Sequence, residues 1–319
     1  MDAYGRIARD LRVSLTDRCS LRCTYCMPEQ GLSWLPGADV LTDDEVIRLV
    51  RLAVDELGVD EVRFTGGEPL LRKGLERIVA ATPAPCSLTT NGVALAARAA
   101  ALREAGLRRV NVSLDTLSPV TFRAMSRRDR LDDVLAGLDA AATAGLTPVK
   151  VNAVLLRGVN DHEAPDLLAY CLDRGFELRF IEQMPLDPMH TFDRSTLVTA
   201  DEILDRLSSR FALTPLGGRG SAPAERWSVD GRGQVGIIGS VTRPFCGDCD
   251  RTRLTADGQV RSCLFAREES DLRGPLRAGA TDAELADRWR AAMAGKAAGH
   301  GIDDVAFLQP QRPMSAIGG

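Results

Sequence analysis

Short β-rich runs alternate with helical stretches along the first two thirds of this chain. The pattern predicts helices at Val93–Ala105, Leu131–Ala144 and Glu163–Arg174, and a glycine of the kind that ends helices follows each one. An earlier helix is predicted after Thr42, because Glu45 stands three residues on and apolar positions follow. Runs that are apolar or alternate predict strands at Leu11–Leu15, Glu61–Thr65, Ser87–Thr90, Arg109–Leu114, Val149–Leu155 and Glu177–Gln183.

This repetition of strand and helix predicts a parallel sheet that is covered by helices. Six units are too few for a closed eight-stranded barrel, so we expect an α/β fold, a partial (βα)6 TIM-like barrel. The Gly/Ser/Pro-rich run Leu216–Pro223 predicts a boundary between a barrel at residues 1–215 and a C-terminal, cluster-bearing region at residues 216–319. That region is expected to contain strands at Trp227–Val229 and Val235–Ile238 and a helix at Asp282–Ala294.

Composition narrows the class of protein. The 319 residues are 45% hydrophobic and 26% charged, which is typical of a globular protein, and the net charge of −4 predicts no general attraction to nucleic acid or membrane. The segment Met1–Leu11 has no apolar signal core, so we expect a cytoplasmic protein whose cysteines stay reduced. With only three histidines in the chain, we expect neither histidine-based catalysis nor a zinc–histidine site.

Six of the eight cysteines fall into two triplets with metal-cluster spacing. They are Cys19, Cys23 and Cys26 in C-x3-C-x2-C, and Cys246, Cys249 and Cys263 in C-x2-C-x13-C. Three thiolates on a [4Fe–4S] cube leave one iron open for a substrate, so the triplets predict two working clusters. The alternatives for the first triplet are an incomplete zinc knuckle and chance clustering of buried cysteines, and the alternative for the second is a zinc ribbon that lacks one ligand. Cys86 and Cys171 match neither triplet and are expected to be buried apolar residues.

Residues around the triplets resemble a known family. Tyr25 within the first triplet and the run Gly66-Gly67-Glu68-Pro69 resemble the signature motifs of the radical S-adenosylmethionine (SAM) superfamily. Arg251-Thr252-Arg253 after the second CxxC, and the terminal Gly318-Gly319, narrow the resemblance to the GTP 3′,8-cyclase family. It covers essentially the whole chain, including LRVSLTDRC, RFTGGEPLLR, TTNG, NVSLDTL, KVNAVLL, RFIEQMP and FCGDCDRTRLT.

The resemblance implies a chemistry. A 5′-deoxyadenosyl radical from SAM would take hydrogen from C3′ of GTP, and ring closure onto C8 would give 3′,8-cyclo-7,8-dihydro-GTP, the first step of molybdenum cofactor biosynthesis. The implied cofactors are two [4Fe–4S] clusters and SAM. The implied partners are GTP, an electron donor such as a flavodoxin and the downstream cyclic pyranopterin monophosphate synthase. Nucleic acid and membrane are not implied, and monomer and homodimer stay open.

The resemblance also implies roles for individual residues. The SAM contacts would be Tyr25, Gly67, Ser113 and Met184. The GTP contacts would be Arg12, Arg63, Thr89, Lys150, Arg179, Arg251 and Arg253, and the catalytic residues Arg251, Arg253, Gly318 and Gly319. For several of these cations, the position in the sequence supports a role in GTP binding without reference to the resemblance. Arg12, Arg63, Lys150 and Arg179 lie in or beside apolar strands, where an unpaired charge is costly and a triphosphate would supply the counter-charge.

Two other functions compete with this interpretation. A peptide-modifying radical SAM enzyme with an auxiliary cluster would usually have more cysteines in its C-terminal region. A non-catalytic zinc or iron–sulfur protein, such as a redox sensor, has no need of Tyr25 or of the GGEP run.

Overall fold

The strands form one sheet. The computed structural model of the chain describes residues 1–304 and 307–318. Its strands are β1 (Asp10–Ser14), β2 (Glu61–Thr65), β3 (Cys86–Thr90), β4 (Arg109–Ser113), β5 (Val149–Val154), β6 (Glu177–Ile181), β7 (Leu213–Leu216), β8 (Glu225–Val229), β9 (Gly233–Ile238), β10 (Arg251–Leu254), β11 (Gln259–Arg261) and β12 (Ser270–Asp271). Within these residues the sheet order is β12-β11-β10-β1-β2-β3-β4-β5-β6-β9-β8-β7.

Helices lie between the parallel strands and after the last strand of the chain. They are α1 (Asp43–Leu57), α2 (Leu75–Ala81), α3 (Ala99–Glu104), α4 (Pro119–Ser126), α5 (Leu131–Thr143), α6 (Ala164–Asp173), α7 (Ala200–Ser208), α8 (Arg273–Arg277), α9 (Asp282–Ala294) and α10 (Met314–Ile317). None of the helices in the described part of the chain is both long and apolar enough to cross a membrane.

The topology confirms the predicted partial barrel. Strands β1 to β6 are parallel neighbours in chain order, and the sheet is open, with β12 and β7 at its two edges. Two strands extend the parallel array without having been predicted as part of it: β10 pairs with β1 and β9 pairs with β6. The sheet is continuous across residue 216, and the division into two domains there stays a prediction.

The two faces of the sheet differ in polarity. On β1 the buried Leu11 and Val13 pack into the hydrophobic core, while Arg12 between them points to the opposite face. Parallel strands that are buried on both sides usually read as continuous apolar runs, so this alternation indicates a polar inner face. The register places Arg12 beside Arg63 of β2 and Arg253 of β10. Three guanidiniums from three strands therefore meet on one face.

Local capping marks the ends of several helices. Thr42 and Glu45 form the predicted capping box of α1, and Gly106, Gly145 and Gly175 have φ of 104°, 73° and 68°. The predicted start of the third helix is wrong, because α3 begins at Ala99 rather than Val93. Residues 93–98 form turns instead, and the first of them is tied to the strand end by a hydrogen bond from the Val93 amide to the Asn91 side chain.

Trp289 offers a test of how α9 supports β10. Its side chain is fully buried and its indole N–H donates to Thr252 Oγ1 at 2.9 Å. We expect Trp289→Ala to lower the free energy of unfolding by about 3–5 kcal/mol, because it leaves a large cavity and an unpaired hydroxyl. Chemical denaturation measures this. Val120→Ala, at a position that is 80% exposed, is the control and should change stability by less than about 0.5 kcal/mol. If both substitutions lowered the free energy of unfolding equally, the described packing of Trp289 would be contradicted.

Candidate active site

One cavity brings together most of the residues that the sequence singled out. It has a volume of about 330 Å³ and is lined by residues of the parallel strands and of the loops that follow them. Both cysteine triplets line it. The predicted residues in its wall are Arg12, Cys19, Cys23, Tyr25, Cys26, Arg63, Gly67, Thr89, Ser113, Arg179, Met184, Cys246, Cys249, Arg251, Arg253 and Cys263.

The first triplet lies in the loop after β1. Burial raises the pKa of the Cys23 thiol, and the neighbouring Cys26 and Cys19 raise it further, so the three sulfurs are close enough to interact. Burial likewise raises the pKa of Cys26 to about 12. A positively charged metal group is what holds such thiols as thiolates. Among the described residues no three His, Cys, Asp or Glu side chains converge closely enough to hold a single metal ion.

The Gly66-Gly67-Glu68 run packs against the backbone of this cysteine loop. A Cβ at Gly67 would collide with the carbonyl oxygens of Asp17 and Arg18. The Gly67 amide donates a hydrogen bond to the Thr16 carbonyl at 2.7 Å, and the Glu68 amide donates one to the Arg18 carbonyl at 2.7 Å. Both glycines are therefore required by close backbone packing.

Glu68 ties this loop to the end of β3. Its fully buried carboxylate accepts hydrogen bonds from Thr90 Oγ1 at 2.6 Å and from the Asn91 amide at 2.7 Å. The Asn91 side chain in turn donates to Cys19 Sγ at 3.7 Å. Asn91 was not predicted as a site residue, although it lies in the TTNG segment and directly after a strand.

Tyr25 is oriented by a carboxyl group. Its hydroxyl donates to Asp115 Oδ2 at 2.7 Å, and Asp115 Oδ1 accepts from the Val154 amide at 2.9 Å. Burial raises the pKa of Asp115 to about 6. Asp115 follows β4 and was not predicted as a site residue, because its partner Tyr25 is 90 residues away in the sequence.

Arginines dominate the inner face of the sheet near β1. Arg12 and Arg251 both approach Asp10, at 3.3 Å and 3.6 Å, and Arg63 is close enough to act on the same carboxylate. Burial alone would raise the pKa of Asp10, but these three guanidiniums lower it to about 2. Burial and the neighbouring Arg12 lower the pKa of Arg63 and of Arg253 to about 9. The cluster has more positive charge than Asp10 balances.

The second triplet lies beside further cations. Arg251 Nη1 and Lys296 Nζ lie 3.5 Å and 3.4 Å from Cys249 Sγ. Burial would raise the pKa of this thiol, but Lys296 and Arg251 lower it overall. His300 also lines the cavity, with its ring 5.1 Å from that of Phe265. Sequence reasoning missed Lys296 and His300, because neither stands in a motif.

The C-terminal tail reaches this site. Gly318 packs so closely that a Cβ there would lie 2.7 Å from Thr65 Cγ2, and its carbonyl oxygen accepts a hydrogen bond from Arg253. The Ser315 backbone also lies near the Cys26 thiol, where it opposes the rise of the Cys26 pKa that burial causes. Gly319 lies outside the described residues.

Among the described residues, Lys150 and Gly318 are the predicted site residues that do not line the cavity wall, and Lys150 is tied up in another contact. It forms an ion pair with Glu177 at 2.9 Å, and burial lowers the pKa of its ammonium. Its role in GTP binding stays a prediction. Cys86 and Cys171 are buried, as expected of small apolar residues.

Asp10 provides a test of the charge balance. Because its folded pKa is depressed, its contribution to stability is present above the unfolded value near 4 and is lost as the pH falls towards 2. Asp10→Asn should therefore lower the free energy of unfolding by about 2 kcal/mol at pH 7 and by less at pH 3. Denaturation at both pH values measures this. The control is Asp60→Asn at an exposed ion pair, where little change is expected. If Asp10→Asn lowered the free energy of unfolding equally at both pH values, the proposed charge balance would be contradicted.

Comparisons with known proteins agree with the geometry. The family model of the radical SAM superfamily matches residues 13–171, and that of Molybdenum Cofactor Synthesis C matches residues 176–302. A Streptomyces coelicolor protein named GTP 3′,8-cyclase is 64% identical over 100% of this chain and 96% of its own length. Proteins of the same name from Mycobacterium sp. (strain KMS) and Corynebacterium glutamicum are 61% and 58% identical over the whole chain, covering 93% and 89% of their own lengths.

These matches confirm the resemblance that the cysteine and GGEP motifs indicated. The chain belongs to the GTP 3′,8-cyclase family of the radical SAM superfamily.

Proposed function

We propose that this cavity converts GTP to 3′,8-cyclo-7,8-dihydro-GTP, the first step of molybdenum cofactor biosynthesis. The observation that carries the proposal is that two cysteine triplets and the arginine cluster line the same cavity. A redox sensor needs one metal group and no polyanion site. A cyclase needs a radical source and a nucleotide site within reach of each other.

The first triplet suits a [4Fe–4S] cluster and SAM. Its buried thiols interact with one another and lie in a cavity with room for a ligand. When bound, this cluster and SAM supply the 5′-deoxyadenosyl radical that takes hydrogen from C3′ of GTP. The chain's part is to position and to exclude water. Tyr25, Gly67, Ser113 and Met184 are the proposed SAM contacts, and Asp115 holds the Tyr25 hydroxyl in place.

The arginine cluster suits the triphosphate of GTP. Arg12, Arg63 and Arg179 are held in the cavity wall, where burial lowers the pKa of the last two. Within the described residues, the buried Arg12 Nε has no hydrogen-bond partner. A phosphate oxygen would satisfy this donor and supply the charge that Asp10 alone does not balance.

We place the second [4Fe–4S] cluster at Cys246, Cys249 and Cys263, with the guanine ring of GTP beside it. Arg251 and Arg253 stand next to this triplet, and the Gly318 carbonyl holds Arg253. They are the proposed catalytic residues, together with Gly318 and Gly319. A flavodoxin-type electron donor, the downstream cyclic pyranopterin monophosphate synthase and a cytoplasmic location belong to the same proposal.

The direct experiment incubates reduced, reconstituted protein with SAM and GTP without oxygen. We expect 5′-deoxyadenosine and a cyclised nucleotide by mass spectrometry, from protein with roughly eight irons per chain. Cys23→Ala should abolish deoxyadenosine formation, whereas Cys171→Ala, outside both triplets, should retain it. Protein with zinc, or with about four irons, would refute the two-cluster assignment.

Arg253→Ala separates GTP use from SAM cleavage. We expect cyclised product to fall at least tenfold, because a buried cation that faces the nucleotide is lost, while slow SAM cleavage persists. Product and deoxyadenosine are quantified in one reaction. Arg123→Ala, at an exposed position, is the matched control. Turnover equal to wild type would remove Arg253 from the site.

Deleting Gly318 and Gly319 tests the tail. The deletion removes the carbonyl that Arg253 holds, so we expect cyclisation to fall at least tenfold while iron content stays unchanged. Gly217→Ala, at a glycine with open space around it, should have no effect. A fully active truncated protein would show that the tail contact is incidental.

A further inference from the structure

Lys296 is a buried cation that the proposed reaction leaves without a role. Its residue is 4% exposed, and it follows α9 in a segment with no recognised motif. Only three residues of the chain are lysines, against a total of 40 lysines and arginines. A lysine at this position in an arginine-rich chain therefore calls for a physical explanation.

The ammonium group of Lys296 has three acceptors around the second triplet. It donates to the Cys249 carbonyl at 2.9 Å, to the Arg251 carbonyl at 2.8 Å and to Cys249 Sγ at 3.4 Å. Three donors on one nitrogen suit this arrangement, whereas the planar fork of an arginine does not. Lys296 thus fixes both the backbone and the sulfur of Cys249.

A second cation, Arg6, holds the segment that contains Lys296. Arg6 donates to the Cys246 carbonyl at 2.6 Å, to the Ala297 carbonyl at 2.7 Å and to the Lys296 carbonyl at 3.2 Å. A buried ion pair to Asp2 at 2.6 Å holds Arg6 itself. The two cysteines of the CxxC motif are therefore each fastened by one buried cation.

Among residues 1–304 and 307–318, the charge of Lys296 has no carboxylate partner. All of its hydrogen bonds within the described residues go to Cys249 and Arg251, so the one anionic group that it meets is the Cys249 sulfur in thiolate form. A buried ammonium without a counter-ion is costly. An anionic thiolate–metal group at the second triplet would balance it.

We propose that Lys296 is a positioning residue of the second metal centre, which fixes Cys249 for ligation and stabilises the added negative charge when the centre is reduced. This inference rests on the second cluster of the proposed function. It assigns Lys296 no contact with GTP or SAM. Its consequences are measurable as metal content and reduction potential, without turnover.

The test uses the full chain with Cys19, Cys23 and Cys26 replaced by serine, so that any bound metal belongs to the second triplet. After reconstitution with ferrous iron and sulfide, we expect about four irons per chain. Adding Lys296→Met should lower metal content at least threefold, because Cys249 is released. Lys73→Met, at an exposed lysine, should leave it unchanged. Circular dichroism verifies folding.

Two milder variants separate charge from structure, and they also serve if Lys296→Met does not fold. Lys296→Gln should keep part of the cluster with a more negative reduction potential, read from the EPR signal, because a positive charge near the sulfur is lost. Lys296→Arg keeps the positive charge and should restore the potential, although its planar fork should not restore the full metal content. The proposal is overturned if Met, Gln and Arg variants all match the parent in metal content and potential.

The same samples separate this inference from the proposed function. If the serine-substituted parent binds zinc rather than iron and sulfide, the two-cluster assignment fails, and Lys296 is judged by whether its loss lowers zinc content. A parent that binds no metal at all overturns both.

Discussion

The structure depends on keeping several guanidinium groups out of water on one face of a parallel sheet. Strand register alone brings Arg12, Arg63 and Arg253 side by side, and Asp10 supplies the neighbouring carboxylate. Burying cations in this way is costly unless another anion joins them. The apolar core on the opposite face stabilises this arrangement, in which Asp10 and Glu61 are the carboxylates that pair with the cluster.

The two cysteine triplets are supported in different ways. The first depends on backbone packing, because Gly66 and Gly67 let the next loop lie against the chain just before Cys19, and Glu68 fastens that loop to the end of β3. The second depends on cations, because Arg6 and Lys296 hold the carbonyls of its CxxC motif. A support without added positive charge suits a site where SAM would bring its own positive charge, whereas a cationic support suits a site that is proposed to face a polyanionic nucleotide.

Much of this arrangement could be predicted from the sequence, since the strand–helix periodicity, the cysteine spacing and the GGEP run are local signals. Strand β10 was missed, because two of its four residues, Arg251 and Arg253, are charged and the short segment does not read as an apolar strand. Only the structure shows that these two arginines face a cavity. Lys296 and Asp115 were missed for a related reason. Each acts on a residue more than 40 positions away, so only the folded chain shows the contact. The Lys150–Glu177 pair likewise follows from strand register.

The account's central claim is that the radical source and the ribose of GTP share this one cavity. GTP deuterated at C3′ tests it most directly. Incubated with the reduced protein and SAM, it should give 5′-deoxyadenosine that contains one deuterium, together with the cyclised nucleotide. Deoxyadenosine without deuterium, at a yield equal to that of the nucleotide product, would contradict the claim.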